Sequence, residues 1–207
     1  MKNRKANRAD IDKIVKLHLI AFEGYFLSLL GSRFLKHFYK SFLETDKATL
    51  IVSERNMDVL GFVAVVFEPE FFFKDLKKRK GFMLFVSALP SLLKRPNLVI
   101  RKLIHGFFYR GGNFIKPENA ALISSIGVNP SSKGLGVGRS LMKSAEGSAT
   151  QKNKDNIYLT TDKYKNERVL CFYESNGYSV AKEFKQAGER VMLVLTKVLK
   201  KNEANDD

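Results

Sequence analysis

Apolar positions near the start of the chain recur at helical spacing. Ile11, Ile14, Val15, His18 and Phe22 share one face of a predicted helix that Asp10 can cap and that ends near Gly24. After YFLSLLG, Ser32 is placed to cap a second helix with Phe34, Leu35, Phe38, Phe42 and Leu43 on its apolar face. Residues 2–8 read as a short basic edge strand. The period then changes: ATLIVSE and DVLGFVAVVFE are β-rich runs, and the RNM between them predicts a hairpin around Asn56. Asn119–Val128 (NAALISSIGV) is a further strand, followed by a glycine-rich turn and a helix through about Ala149. NIYLTT reads as a strand, NERVLCFYESNG as a helix closed by Gly177, and YSVAKEF with RVMLVLTKV as a terminal strand pair.

The resulting order, β-α-α-β-β, an irregular stretch, then β-α-β-α-β-β, predicts an α/β fold with a mixed sheet and helices on its faces. Residues 1–200 read as one domain, with no internal repeat and no low-complexity segment, and residues 201–207 as a frayed tail with nothing to bury. The stretch of about 69–117 is too long for a plain loop and is expected to carry structure or function of its own.

Composition narrows the class. Seventeen phenylalanines and 44% hydrophobic residues in 207 argue for a packed core. A formal charge of +15 points to an anionic partner: nucleic acid, membrane surface, acidic protein or phosphate-bearing ligand. Cys171 is the single cysteine, which excludes an intrachain disulfide and a cysteine-based metal site, and no metal is expected. The basic N-terminus lacks the apolar segment of a signal peptide, and the uncharged run Gly81–Leu93 is shorter than the ~20 residues of a membrane span and contains Pro90. A cytoplasmic protein is the expectation.

The segment IGVNPSSKGLGVGRSLM, Ile126 to Met142, carries the chemistry. Val128 ends a strand, Pro130 prevents its continuation, and a helix opens after three alternate glycines, Gly134, Gly136 and Gly138. Unpaired N–H groups and the dipole at a helix start form a ready phosphate site, and glycines let phosphates approach the backbone. Lys133 and Arg139 flank the turn with positive charge. The spacing fits neither the P-loop nor the dinucleotide pattern G-x-G-x-x-G.

The arrangement Val128-x-Pro130-x-x-Lys133-Gly134-x-Gly136-x-Gly138 resembles the coenzyme A motif of the GNAT superfamily of acyl-CoA-dependent N-acyltransferases, with lysine where that family has arginine or glutamine. NERVLCFYESNGY is similar to a second family segment, with Asn166, Phe172, Tyr173, Gly177 and Tyr178 in register and Val169 where alanine is usual. The resemblance implies a mixed, mostly antiparallel central sheet flanked by helices, with a helical basic insertion between the third and fourth strands. It implies acetyl-CoA as cosubstrate, held by Ile126, Gly127, Val128, Lys133, Gly134, Leu135, Gly136, Val137, Gly138, Arg139, Ser140, Asn166 and Tyr173. It also implies that the strand ending at Val128 splays from the strand at 156–161, freeing N–H groups around Ile126 to Val128 for the pantetheine and the thioester oxygen.

Tyr173 takes the family's general-acid position; a phenol of pKa ~10 is protonated at neutral pH and can donate to a thiolate. Asn166 is placed to cap its helix, to touch the cofactor, or both. The base stays open. The strand before the motif reads ALISSIGV, with Ser124 and Ser125 where relatives often carry a glutamate, and Glu23, Glu68, Glu70, His18 and His37 remain candidates. Cys171, among apolar helix residues, reads as core.

Between Phe71 and Arg110 the chain gathers ten lysines and arginines against Asp75 alone, interleaved with apolar runs. Three readings stand: a solvated basic face, a lid steering an anionic acceptor such as a nucleotide-linked amino sugar, or contact with anionic membrane lipid or with an acidic acyl carrier protein that serves as donor in place of free acyl-CoA. Three functions follow: an N-acetyltransferase acting on a small-molecule amine, a catalytically silent coenzyme A-binding module, and, on charge alone and without a recognised motif, a nucleic-acid binder. The second is motivated by the missing strand glutamate. Sequence says nothing of the oligomeric state.

Overall fold

The structure, a computed structural model, describes residues 1–94, 117–186 and 190–199. Its strands are β1 (Lys2–Lys5), β2 (Ala48–Arg55), β3 (Asp58–Val66), β4 (Ala120–Val128), β5 (Asn156–Asp162), β6 (Ser179–Gln186) and β7 (Arg190–Val198). They form one seven-stranded sheet in the order β1-β2-β3-β4-β5-β7-β6. Every pairing is antiparallel except β4 with β5. The described helices are α1 (Ile11–Ala21), α2 (Phe26–Leu29), α3 (Gly31–Phe42), α4 (Pro69–Lys94), α5 (Val137–Thr150) and α6 (Glu167–Glu174).

Alternation along the central strands explains why they read as almost unbroken apolar runs. Leu50, Val52, Phe62, Ala64 and Val66 bury against Ile11, Ile14, Leu35, Phe38, Tyr39 and Phe42 of α1 and α3. Their neighbours Ile51, Val63 and Val65 point to the other face, where Val137, Leu141, Met142 and Ala145 of α5 cover them. A sheet buried on both faces has no polar side to show.

The β2–β3 hairpin turns at Asn56 and Met57, both with positive φ (50° and 67°), between the paired residues Arg55 and Asp58. That is the two-residue turn whose twist matches the strands. One edge of the sheet, β1, is short and basic, which discourages further strand pairing. Arg4 reaches from it to buried Asp10 (2.7 Å) and to Glu54.

Several local expectations are corrected. Strand β1 stops at Lys5, not 8. Asp10 makes no side-chain cap on α1; it accepts from the Asn7 backbone and from Arg4, and the bond from Arg4 holds its carboxyl below the usual carboxylate range. Helix α3 opens at Gly31 behind Leu30, one residue before Ser32. Pro90 does not break the apolar run Gly81–Leu93, since α4 carries it within a 26-residue helix that starts at Pro69. The insertion is thus helical from its first residue, while 95–116, like the expected tail at 201–207, lies outside the described residues. Cys171 is exposed: Tyr173 turns inward on the same short helix, and residue 171 takes another face.

The hairpin supplies a test of this reading. Met57 holds a left-handed backbone that costs a β-carbon-bearing residue about 1–2 kcal/mol. Met57→Gly is therefore expected to raise the unfolding free energy by ~1 kcal/mol in denaturant titration. An unchanged or lowered value would contradict the turn.

Candidate active site

The site begins where two strands part. β4 pairs with β5 through three residues only, Ala120–Asn156, Ala121–Ile157 and Leu122–Tyr158. Beyond them β5 continues against β7 as far as Asp162, and β4 continues against β3 as far as Val128. The β3–β4 register shifts at Ala64/Val65, which leaves Ser124 as an extra residue on β4. A bulge bends its strand and sharpens the local twist, and here it falls where β4 leaves β5.

One hollow, of about 570 Å³, opens at the glycine turn and is lined by Ile126, Val128, Lys133, Gly134, Gly136 to Arg139, Phe172 and Tyr173 among others. Asn129 shapes the turn by accepting from the N–H and hydroxyl of Ser131. Gly134 and Gly136 have φ of 84° and 71°, a left-handed backbone that other residues adopt only at a cost. Gly138 serves differently: a β-carbon there would stand 3.1 Å from the Phe172 ring. No side chain caps the start of α5, so its first-turn N–H groups face the hollow without an intrahelical acceptor. That start fits a phosphate group.

A second hollow, of about 370 Å³, lies on the α1–α2 side. Its walls include His18, Phe22, Tyr25 and Phe26, the β4 residues Ile123 to Ile126, and Asp162 with Arg190. Arg190 is bidentate to Asp162, and its guanidinium lies 5.5 Å from the centre of the Tyr25 ring. Ile126, Val169 and Tyr173 line both hollows. Tyr173 is 8% exposed, and burial, with a smaller contribution from Tyr25, pushes its phenol up to about 12.

A model of the Acetyltransferase (GNAT) family matches residues 103–178. Among solved structures, a ribosomal-protein-alanine N-acetyltransferase from Brucella melitensis superposes with a TM-score of 0.62 at 16% identity, over 96% of this chain and 100% of that one. The fold is GNAT-like. The yncA protein of Salmonella typhimurium, solved with its cofactor acetyl-CoA, matches at 0.61 and 15% identity over 99% and 97% of the two chains. An aminoglycoside 6′-acetyltransferase type Ii matches at 0.61 and 14% identity over 97% and 98%. No curated protein matches the sequence.

Within this GNAT fold the expected cofactor residues separate. Ile126, Val128, Lys133, Gly134, Gly136, Val137, Gly138, Arg139 and Tyr173 line the glycine-turn hollow, whereas Gly127, Leu135 and Ser140 do not. A β-carbon on Gly127 would meet the Phe62 ring at 2.8 Å, and the Ser140 hydroxyl is taken by Asn3. Asn166 lines the second hollow. It stands at the N-cap position of α6 without capping it, because its amide donates back to Thr161 and to the carbonyl of Asp162, both at 2.8 Å. Of the candidate bases Glu23, Glu68, Glu70, His18 and His37, His18 alone lines either hollow.

His18 is the feature sequence reading undervalued. It is 2% exposed, its Nδ1 stands 2.7 Å from the Tyr39 hydroxyl, and its Nε2 has no hydrogen-bond partner among the described residues. Tyr39 in turn bonds Ser125, and burial holds its phenol well above the ordinary value. The signal was present, a polar residue on the apolar face of α1, but its partners come from α3 and β4.

Burial pushes the His18 imidazole down to about 4. The unfolded chain, with a value near ~6.5, then binds the extra proton at intermediate pH, so stability carried by neutral His18 is full above ~6.5 and declines as the pH falls toward 4. The His18 ring resonances are expected to titrate in NMR with a midpoint near 4. A midpoint of ~6.5 would show a solvated ring.

Proposed function

We propose that this chain is an acyl-CoA-dependent N-acyltransferase, in the simplest case moving an acetyl group from acetyl-CoA to a primary amine by direct attack. One observation carries the reading: two hollows, one floored by an uncapped helix start, meet at Tyr173 where β4 leaves β5. The phosphate-bearing donor fits the first, and the amine fits the second. The relatives' own acceptors, a ribosomal protein's alanine in one case and an aminoglycoside in another, show how widely the fold is used.

Acetyl-CoA supplies the activated acyl group; the chain's part is to bind, orient and move protons. The first-turn N–H groups of α5 and the cations Lys133 and Arg139 take the phosphates. The backbone of β4 beyond Leu122, not paired to β5, offers donors to the thioester oxygen. Tyr173 donates to the departing sulfur. At about 12 its phenol stays protonated, and full transfer to a thiolate of ordinary pKa is uphill by roughly 5 kcal/mol. Burying the thiolate in the same hollow raises its pKa too and closes part of that gap. His18, buried and held neutral, is not a strong base, so the amine enters unprotonated or loses its proton to water.

The acceptor hollow does not favour an anionic substrate such as a nucleotide-linked amino sugar. Arg190 is the cation among its lining residues and is already neutralised by Asp162, while Phe22, Tyr25 and Phe26 supply aromatic surface. An amine carried on an apolar or planar body fits better. A silent coenzyme A-binding module is the second reading, favoured by Ser124 and Ser125 standing where relatives often place a glutamate.

Thermal unfolding with and without acetyl-CoA tests the donor. At ~100 times its dissociation constant the ligand stabilises the folded state by ~2.7 kcal/mol. Wild type is expected to show this shift and Gly136→Glu to lack it, and no shift in wild type would remove free acetyl-CoA as donor. Tyr173→Phe, assayed by thiol release over an amine panel, is expected to lose ~10²–10⁴ in kcat while keeping the shift. Undiminished turnover would end the acid role; a shift without turnover on any amine would favour the silent module.

A further inference from the structure

Helix α4 carries a solvent-facing stripe that the acyl-transfer site does not use. Phe71, Lys74, Lys78, Phe82 and Phe85 recur at three- and four-residue steps on one helix face, Leu93 lies eight residues further along it, and all are exposed. Phe82 is 83% exposed and Leu93 80%. The opposite face is accounted for: Phe72, Leu76 and Leu84 pack toward α1, α3 and the sheet, and Ala88 with Leu92 packs on Leu30 and the α2 residues Phe26 and Leu27. The helix is therefore anchored, and its aromatic stripe points away from the core. Large apolar side chains aligned on one exposed face, with cations on the same stripe, mark a surface built for a partner.

We infer that α4 seats the protein on an anionic phospholipid surface. Lys74 and Lys78 meet lipid phosphates, and Phe82, Phe85 and Leu93 enter the headgroup–acyl boundary, with the helix lying in the plane of the interface. The stripe is basic toward its N-terminal half and apolar over its last three turns, roughly 17 Å of helix from residue 82 to 93. The net charge of +15 adds long-range attraction to an anionic leaflet. An acidic carrier protein would match the lysines but leave the phenylalanines without a role. A second copy brings the same cations, and Asp75, four residues after Phe71, is already paired with Lys47. No described helix is long and apolar enough to cross a membrane, so the contact is peripheral. Through α2, whose Phe26 and Leu27 also wall the acceptor hollow, the seated helix adjoins the catalytic half of the molecule.

Cosedimentation tests the surface independently of catalysis. The full chain is mixed with vesicles of phosphatidylcholine alone or with one quarter phosphatidylglycerol, at low and at physiological salt. Binding to the anionic vesicles is expected to be at least tenfold tighter than to the neutral ones and to weaken as salt rises. Phe82→Asp/Phe85→Asp is expected to lose at least tenfold while keeping the wild-type unfolding midpoint and the acetyl-CoA shift. Lys74→Glu/Lys78→Glu, which leaves the apolar residues in place, is expected to lose the preference for anionic lipid and decides the matter if the first variant fails to fold. Wild type left in the supernatant at low salt, or binding unchanged in both variants, would overturn the proposal. So would light scattering that shows a lipid-free dimer abolished by Phe82→Asp/Phe85→Asp, or retention on an immobilised acyl carrier protein without any vesicle binding.

Discussion

The parting of β4 from β5 is the constraint on which the rest of the molecule depends. Parallel strands need a crossover, and α5 supplies it between β4 and β5. Three pairs of residues hold the two strands at one end. At the other, each is occupied elsewhere, β5 with β7 and β4 with β3, so the gap is enforced by the neighbours rather than by a weak strand. The bulge at Ser124 bends β4 at the point of separation. The crossover helix then starts beside the gap, with its unpaired N–H groups in the hollow that the gap creates. Tyr173, delivered by α6 after β5, lines the hollows on both sides.

The same separation explains the polar residues buried behind it. A neutral imidazole with one nitrogen unsatisfied is expensive in a core, on the order of 1–3 kcal/mol. His18 tolerates this beside Phe22 and Tyr39, ring centres 4.6 and 5.6 Å away, because Tyr39 satisfies Nδ1 and Ser125 satisfies Tyr39. The three side chains tie α1, α3 and β4 together just where β4 bends. A site placed on strands and supported by packed helices is held more firmly than one made of loops alone.

Much of this was legible in the sequence because local chemistry dictated it. Glycines at 134 and 136 predicted a backbone that side chains avoid, and both proved left-handed. Asn56 marked the hairpin, Gly177 the end of α6, and alternating apolar runs the central strands. The misses share a cause, that tertiary partners decided the outcome. Asp10 was drawn from capping α1 by Arg4, and Asn166 from capping α6 by Thr161 and Asp162. Pro90 sits late enough in α4 for the helix to continue through it. The length of the β4–β5 pairing is written in neither strand, since each has another partner competing for it. His18 looked like an ordinary packed residue until Tyr39 and Ser125 were placed around it.

Backbone amide shifts in NMR on addition of coenzyme A would test the central claim most directly. Displacement of the Gly136, Val137 and Gly138 amides, together with those of Ile126 and Val128, is the result that a phosphate-bearing cofactor seated at the opening between β4 and β5 predicts. Saturable shifts confined to other surfaces, or none at millimolar coenzyme A, would contradict it.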